Sequence, residues 1–378
     1  MEKLFSVYSE RVKILRDRNM NIENSSEEKS LLNKYNYYNL INGYKDPFLY
    51  KGTSSIERYI TGTRLSELEA LLKFDTNLRR LFLREILKIE EVIKNKIVQS
   101  FYYYHLYKEP RNTEIERSNL HRDSEYLRRK YYDLTDLYTV YTNNSYGIVS
   151  TIVSPNHPGR NCIKRDRQSA YDNYIAIVYK TLGQQRKNKN YSIKSYLEQH
   201  GYMPMWILMN VLTFGNVSHI FTLQKRDVQI DIIKSLNLNS IPPISDDLSI
   251  VNTSRILQIL SIYRNICAHN ERFYITKIRV LIDDIYMNFG NKLPHTVNST
   301  LGKRLNELKK NKRLNARQGI YALIFIISLF MNKKELNNFI IEIRNEFKKL
   351  EGKLSTITID EIERLMGLNF DWNNLIKN

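Results

Sequence analysis

The segment 65–105 constrains the fold more strongly than any other part of this chain. Its apolar residues recur at three- and four-residue spacings, and they include Leu78, Leu81, Phe82, Ile86, Ile89, Val92, Ile93 and Ile97. Because an α-helix turns by about 100° per residue, this spacing places them in one stripe along a long helix. Such a stripe has to pack against other elements. The segment therefore predicts the central helix of a helical core, with Asp75 as an N-cap for its second half.

Most of the remaining sequence also has helical periodicity. Amphipathic patterns cover 5–19, 27–44 and 333–354, and the run "IYALIFIISLFM" (320–331) predicts a buried helix. Asp360 is expected to cap a last helix, and Trp206 and Phe214 are expected in the core. The stretch 142–161 predicts a loop or a short hairpin, with small β pieces near 145–153. The expected fold class is all-α.

Changes in composition suggest three regions. We expect an N-terminal helical segment at 1–60, a helical core at 61–290 and a C-terminal helical region at 291–378. A basic insertion at about 106–200, dense in Tyr and Arg, interrupts the core.

The charge balance predicts a polyanionic partner. Lys and Arg number 58 against 40 Asp and Glu, which gives a formal net charge of +18. Basic side chains neutralise phosphates and release counterions, so the charge favours nucleic acid as the partner. Solvated surface charge is the alternative explanation. The candidate phosphate contacts come from three basic clusters: Arg165, Arg167, Arg186, Lys187, Lys309, Lys310 and Arg313.

Two cysteines, Cys162 and Cys267, are present, and neither has metal-ligand spacing. The first residues, "MEKLFSVYSERVKILRDR", lack the apolar centre of a signal peptide. The longest apolar run, 320–331, is shorter than the ~20 residues that cross a bilayer. We therefore expect a cytoplasmic protein that needs no membrane, metal or cofactor.

The stretch "RNICAHNERFY" (264–274) concentrates reactive side chains after an apolar run. On a regular helix Asn265, His269 and Arg272 share one stripe, and Arg264 lies ~100° round from Asn265. Arg264 and His269 would then point in different directions. A site that uses both requires a helix end near Ala268 or a second copy of the motif facing the first.

These residue types suit RNA cleavage without a metal. A histidine with an ordinary pKa of ~6.5 accepts or donates a proton near neutral pH, and arginine presents a planar fork to phosphate oxygens. The 2′-hydroxyl of RNA would attack the phosphate, which leaves a 2′,3′-cyclic phosphate and a 5′-hydroxyl. A structural role is the alternative, since Arg or His near a helix C-terminus also binds the last carbonyls.

Four stretches in order resemble one family. "RNICAHNERFY" is similar to the Arg-Asn-x-x-Ala-His signature of HEPN ribonucleases, as found in Abi-like abortive infection proteins of the AbiD and AbiF type. The other three are "YNYYNLINGYKDPF" (35–48), "FDTNLRRLFLREILKIEEVIKNKI" (74–97) and "MPMWILMNVLTFGNVSHIF" (203–221). The resemblance covers roughly 5–290. It departs at 106–200 through long basic insertions, and no motif is evident after 290.

The resemblance implies a HEPN-like helical bundle core with helical extensions at both ends. It also implies an RNA-cleaving toxin used in antiviral defence. In that site Arg264 would stabilise the phosphate, His269 would act as acid or base, and Asn265 would orient the site. Arg272 and Tyr274 are further candidate RNA contacts.

HEPN sites are generally composite. Here no other His follows an Arg with four to six residues between them, so the resemblance predicts a homodimer that pairs two copies of the motif. Glu90 and Glu91 are expected either beside this site or on a solvated surface.

Two other functions fit the sequence. A basic protein with one Arg-His stripe also suits a non-cleaving RNA-binding protein that holds a structured small RNA as partner or antitoxin. A DNA-binding regulator is a weaker alternative, because no stretch has a persuasive helix-turn-helix pattern.

Overall fold

The structure is a computed structural model that describes residues 7–23, 26–51, 57–144, 147–159, 162–187, 191–238, 245–283, 286–287, 317–368 and 372. Within these residues the fold is predominantly α-helical, as predicted, with one small sheet. Three candidate RNA contacts, Lys309, Lys310 and Arg313, lie outside the described residues. The predicted boundary at 290/291 also lies outside them, and the division into three regions stays a prediction.

The predicted central helix is α3 (Leu65–Tyr103), and it continues into a π-helical turn at Tyr104–Lys108. Six residues of its stripe are buried, Leu81 is partly buried, and Val92 is 46% exposed. The helix passes through Asp75 without a break, so the prediction that Asp75 is an N-cap is wrong. Asp75 is fully buried on the core-facing side instead.

The N-terminal part forms two short helices and a tight connection. These are α1 (Tyr8–Asp17) and α2 (Ser26–Lys34), followed by a π-helical turn at Tyr38–Asn42 and a 3₁₀ turn at Asp46–Phe48. Leu40, Ile41 and Phe48 in these turns are buried. This segment packs on α3.

The insertion contains a three-stranded antiparallel sheet. Helices α4 (Glu114–Asn119) and α5 (Asp123–Tyr126) precede β1 (Leu137–Asn144), β2 (Gly147–Val153) and β3 (Cys162–Arg165). The order is β2-β1-β3, and Tyr138 pairs with Val153 on one side and Lys164 on the other. The sequence predicted a loop or a short hairpin at 142–161 with β pieces near 145–153; the hairpin of β1 and β2 begins earlier, at Leu137, and β3 was not predicted.

Helices α6 (Arg167–Lys187) and α7 (Tyr191–His200) complete the insertion, and four helices follow. They are α8 (Met205–Val211), α9 (Phe214–Leu223), α10 (Arg226–Ser235) and α11 (Asp246–Ala268). Phe214 is buried as predicted, but Trp206 is 47% exposed, so its assignment to the core is wrong. Met205, Leu208 and Met209 occupy the buried face of α8.

The C-terminal helices pack onto the same core. Helix α12 (Ile320–Ser328) is the predicted buried helix, and α13 (Lys333–Glu351) lies against α3. The rings of Phe82 and Phe339 are 5.2 Å apart. Helix α14 (Ile359–Leu365) is capped by Thr358, whose hydroxyl accepts a hydrogen bond from Glu361 N at 3.3 Å. Asp360 lies in its first turn, so the prediction that Asp360 is the cap is wrong.

Helix α11 lies at the centre of this arrangement, in contact with α3, α9, α10, α12 and the strand β2. Ser245 begins it, since its hydroxyl accepts a hydrogen bond from Leu248 N at 3.2 Å. None of the helices in the described ranges is both long enough and apolar enough to cross a membrane.

Candidate active site

The motif helix α11 ends where a site with both Arg264 and His269 requires an end. Ala268 is its last residue, and His269 caps it with φ −97° and ψ 13°. Asn270 follows in the left-handed region at φ 57°. The amide of Glu271 then donates to the carbonyl of Ile266 at 3.2 Å, as in a Schellman motif. Asn tolerates this conformation better than most residues, which explains why the helix stops here.

The end of α11 divides its side chains between core and solvent. Tyr263, Ile266 and Cys267 are buried, whereas Asn265 and His269 are exposed. The backbone amide of His269 donates to the carbonyl of Asn265 at 2.9 Å, which keeps the two residues in one turn. Because the helix ends before Arg272, the predicted stripe of Asn265, His269 and Arg272 does not continue as a helical face.

Arg264 is held beside a buried carboxylate on α3. Its Nε lies 3.9 Å from Oε2 of Glu90, and its side chain is 34% exposed. Oε1 of Glu90 is 2.7 Å from Nζ of Lys94, which also donates to the carbonyl of Leu212 at 3.0 Å. One carboxylate thus faces two cations, and a net positive charge remains. Of the two expected neighbours, Glu90 lies beside the motif and Glu91 is exposed.

A groove opens beside Glu90 between α3 and α8. Its volume is about 560 Å³, and its lining includes Glu90, Lys94, Asn95, Trp206 and Asn210. The exposed indole of Trp206 packs against Tyr102 with the rings 5.5 Å apart. The exposed ring of Trp206 is a surface on which a base of single-stranded nucleic acid can stack, whereas the charged lining consists of two carboxylates, Glu90 and Glu91, and the paired cation of Lys94.

The loop after His269 is anchored by Asp75 of α3. Its Oδ1 accepts hydrogen bonds from the backbone amides of Phe273 at 3.1 Å and Tyr274 at 2.7 Å. Its Oδ2 accepts one from the hydroxyl of Tyr44 at 2.9 Å. Burial raises the pKa of Asp75, and the cation of Arg79 together with these donors opposes that shift.

Arg79 completes the anchor one helical turn after Asp75. Its Nη1 lies 2.7 Å from Oδ2 of Asp75 and donates to the carbonyl of Glu271 at 2.9 Å. Its Nη2 donates to the hydroxyl of Thr76 at 2.9 Å. The sequence analysis missed this role for both residues. The available signal was an Asp and an Arg four positions apart within the apolar stripe of α3, where a charge must be paired.

The N-terminal block 35–48 closes over the same loop. The rings of Tyr44 and Tyr274 stack at 5.9 Å, and Nη1 of Arg272 lies 3.3 Å from both the carbonyl of Gly43 and Oδ2 of Asp46. Tyr274 is fully buried. Its predicted RNA contact is therefore wrong for this conformation, while Arg272 stays accessible with its side chain 43% exposed.

The block at 203–221 reaches α11 through a close helix contact. A Cβ atom on Gly215 would lie 3.3 Å from the hydroxyl oxygen of Ser261, so a glycine allows α9 to approach α11. All four stretches quoted from the sequence thus meet at α11 or at the loop that follows it.

The basic residues of the insertion are not gathered at this site. Arg167 is buried and ion-paired with Asp133, so its predicted RNA contact is also wrong for this conformation. Arg165 is partly buried against Ser254, and Arg186 and Lys187 are exposed at the end of α6. For the described ranges, no three His, Cys, Asp or Glu side chains are arranged to hold a metal ion.

Comparison with protein families shows where this chain belongs. The sequence profile described as Abi-like protein matches residues 30–275, well over half of the 378-residue chain. This range contains all four blocks and ends one residue after Tyr274. No curated protein and no solved structure matches the chain.

Proposed function

The chain belongs to the Abi-like protein family, and from that premise we propose that it is a metal-independent HEPN-type endoribonuclease of an abortive infection system. It acts as a toxin in antiviral defence, in the cytoplasm, where its RNA substrate is found. His269 serves as general acid or base, Arg264 stabilises charge on the phosphate, and Asn265 orients the site.

The exposed position of His269 at the end of α11 is the observation that carries this proposal. An imidazole there is open to solvent, at the same helix end as an arginine whose Nε lies 3.9 Å from Oε2 of Glu90. A guanidinium there, with its side chain 34% exposed, presents its planar donor fork to a phosphate. A purely structural Arg-His pair would be expected to bind the helix carbonyls, which the side chain of Arg264 does not do within the described residues.

The single copy of the Arg-x4-His motif in the sequence, together with the resemblance, supports the homodimer. Because α11 ends at Ala268, the angle of about 140° between positions five residues apart on a continuous helix does not apply to His269. A second copy brings an Arg264 opposite a His269. The partner chain is thus part of the site rather than a separate regulator.

The reaction follows from these positions. His269 removes the proton from the 2′-hydroxyl of the substrate or protonates the departing 5′-oxygen, and Arg264 neutralises the charge that grows on the phosphate oxygens. The products are a 2′,3′-cyclic phosphate and a 5′-hydroxyl. DNA has no attacking hydroxyl, so it is not cleaved.

Cleavage of labelled RNA in EDTA tests the proposal. We expect His269→Ala to lower the cleavage rate by roughly 10²–10⁴-fold, the usual contribution of a general acid or base, and to abolish toxicity in cells. His157→Ala is the matched control, because His157 is also exposed but lies in the loop after β2. Circular dichroism should show that both variants are folded.

Three results would contradict the assignment. They are retention of the parent rate by His269→Ala, loss of the parent activity in EDTA, and cleavage of RNA with a 2′-deoxy group at the cleaved position. A mixture of Arg264→Ala and His269→Ala chains tests the dimer. The mixture should recover part of the parent rate, since mixed dimers contain one intact pair of side chains; no recovery would argue for a site within one chain.

The second candidate function is a non-cleaving RNA-binding protein that holds a structured small RNA as partner or antitoxin. The net charge of +18 and the exposed ring of Trp206 in the groove favour it. RNA that co-purifies through moderate salt, without cleavage of added RNA, would support this function over the first.

A further inference from the structure

A second cavity lies between the sheet and the first half of α11. Its volume is about 280 Å³, and its polar lining includes Tyr141, Arg165, Ser254, Arg255, Gln258 and Arg279. The first turns of α11 that line it are far from the candidate active site. Arg255 and Arg264 are nine residues apart, which is about 14 Å along the helix axis.

The lining of this cavity carries three arginines and no carboxylate. One of them, Arg255, is neutralised by a buried carboxylate. Nη1 of Arg255 lies 2.6 Å from Oδ1 of the fully buried Asp283, and its Nη2 donates to the hydroxyl of Ser150 at 2.8 Å. Arg255 also stacks on the ring of Tyr141 at 4.8 Å. Arg255 is therefore a structural part of the cavity lining, because its charge is already paired with Asp283.

The other two arginines have no such partner. Arg165 donates to the hydroxyl of Ser254 at 2.8 Å, and neither Arg165 nor Arg279 forms an ion pair with any described residue. Burial lowers the pKa of Arg165, and the cations of Arg167 and Arg255 lower it further. A partly buried guanidinium without an ion pair is costly unless an anion binds to it.

A neighbouring cavity of about 460 Å³ shares Arg165 and adds His219 to the same region. Burial lowers the pKa of His219, and the charge of Arg165 adds to this effect. The acidic residue there, Asp166, is exposed, and its carboxylate accepts hydrogen bonds from the amide and hydroxyl of Ser169 at 2.9 Å and 2.7 Å. The region around Arg165 thus keeps an excess of positive charge.

The remaining wall of the first cavity is apolar. Leu137, Ile163, Ile250, Val251, Val280 and Leu281 line it. Ligand pockets in proteins combine an apolar wall with a few convergent polar groups and usually exceed about 300 Å³. This cavity lies near that lower bound, which suits one ring and one phosphate better than a longer chain.

We propose that this cavity binds a phosphorylated small molecule of the size of a mononucleotide, with the phosphate on Arg165 and Arg279 and the ring against the apolar wall. Gln258 and Ser254 supply the neutral hydrogen-bonding groups. The site shares no residue with the proposed ribonuclease site, so each proposal can be refuted without affecting the other.

Calorimetric titration of the full chain tests this site with adenosine and uridine 5′-monophosphates as probes and the two unphosphorylated nucleosides as comparisons. We expect the monophosphates to bind at least about tenfold more tightly than the nucleosides, because hydrogen bonds to a charged group carry most of the affinity. Arg165→Gln should weaken binding at least about tenfold. Arg80→Gln, an exposed arginine on α3, should leave it unchanged.

The proposal is overturned if neither monophosphate binds, if the nucleosides bind equally well, or if folded Arg165→Gln keeps the parent affinity. Should Arg165→Gln fail to fold, Arg279→Gln takes its place, since Arg279 is exposed at the rim. Unchanged affinity in that variant would also overturn the site. The last titration uses a 5′-phosphorylated RNA oligomer. If this oligomer binds in the cavity much more tightly than the monophosphates, the proposal of a small-molecule ligand is overturned and the ligand is an RNA end.

Discussion

Replacement of Asp75 is the strongest single test of how the loop beside the candidate active site is held. Asp75 accepts hydrogen bonds from the amides of Phe273 and Tyr274 and from Tyr44, and it pairs with Arg79 at 2.7 Å. The two amides lie four and five residues after His269 in the chain, whereas Tyr44 and Arg79 come from the N-terminal block and from α3. Replacing Asp75 by Ala removes every one of these contacts at once.

The expected loss follows from the burial. Asp75 is fully buried and Arg79 is 6% exposed, so removal of the carboxylate leaves an unpaired charge in the core. Breaking a buried ion pair in this way costs about 3–5 kcal/mol, and each backbone amide left unsatisfied costs about 1–3 kcal/mol. Because these terms overlap, we expect Asp75→Ala to lower the free energy of unfolding by about 4 kcal/mol.

Urea unfolding followed by circular dichroism measures this loss. Glu91→Ala is the control, since Glu91 is an exposed carboxylate on the same helix and its removal should change stability by no more than about 0.5 kcal/mol. A double-mutant cycle with Arg79→Ala isolates the pair. The double variant should be more stable than the sum of the single losses implies, by at least about 1 kcal/mol, because neither charge is then left alone.

Two results would refute this reasoning. The first is a loss of stability in Asp75→Ala as small as that in Glu91→Ala, and the second is simple addition of the losses from Asp75→Ala and Arg79→Ala. Either would mean that the loop after His269 is held by its apolar side chains rather than by the buried carboxylate.

Three further predictions concern other parts of the fold. Burial raises the pKa of the Cys267 thiol to about 12. A thiol reagent at mildly alkaline pH should therefore label only Cys162 in the folded protein and both cysteines in denaturant. Labelling of both cysteines in the folded protein would contradict this prediction. Hydrogen bonds from Arg111 and then Lys225 hold the pKa of Glu109 at about 2, below the ~4.3 of an unfolded chain. The stabilisation by Glu109 is therefore present above about pH 4.3 and is lost as the pH falls towards the pKa of the folded state. The free energies of unfolding of the parent and of Glu109→Gln should become equal on acidification; a difference that does not change with pH would contradict this prediction. Gly215→Val should lower the free energy of unfolding by about 1–3 kcal/mol, because the new side chain meets Ser261. Gly183→Val should change it by only about 0.5 kcal/mol, since a Cβ atom on Gly183 meets nothing within 4 Å. Equal losses in the two variants would rule out the close contact between α9 and α11.

Local sequence patterns predicted the long core helices but not α6 and α7 of the insertion. The apolar stripe of α3 and the apolar run of α12 appear in the structure as predicted, because helical periodicity depends on neighbours three and four positions away. Helix caps were less predictable. Asp75 and Asp360 have the side chains of N-caps, but the chain around each is already helical.

The candidate site was only partly accessible from the sequence. The motif itself identified Arg264, Asn265 and His269 by their chemistry and by resemblance, and the four blocks were found in order. Their meeting around α11 depends on contacts between residues far apart in the chain, such as Asp75 with Tyr274. The burial of Tyr274 and Arg167 and the exposure of Trp206 are also outcomes of packing, since an aromatic or basic residue type does not determine whether another element covers it.

The sequence by itself determined a helical chain, a strong positive charge and a reactive Arg-His motif, since these follow from residue type and short spacing. The tertiary structure alone decided that α11 ends against a loop anchored by Asp75 and Arg79, and that His269 is exposed while its neighbour Cys267 is buried. The physical reason is that helix periodicity fixes which residues share a face. Whether that face meets solvent, a carboxylate or another helix depends on long-range packing.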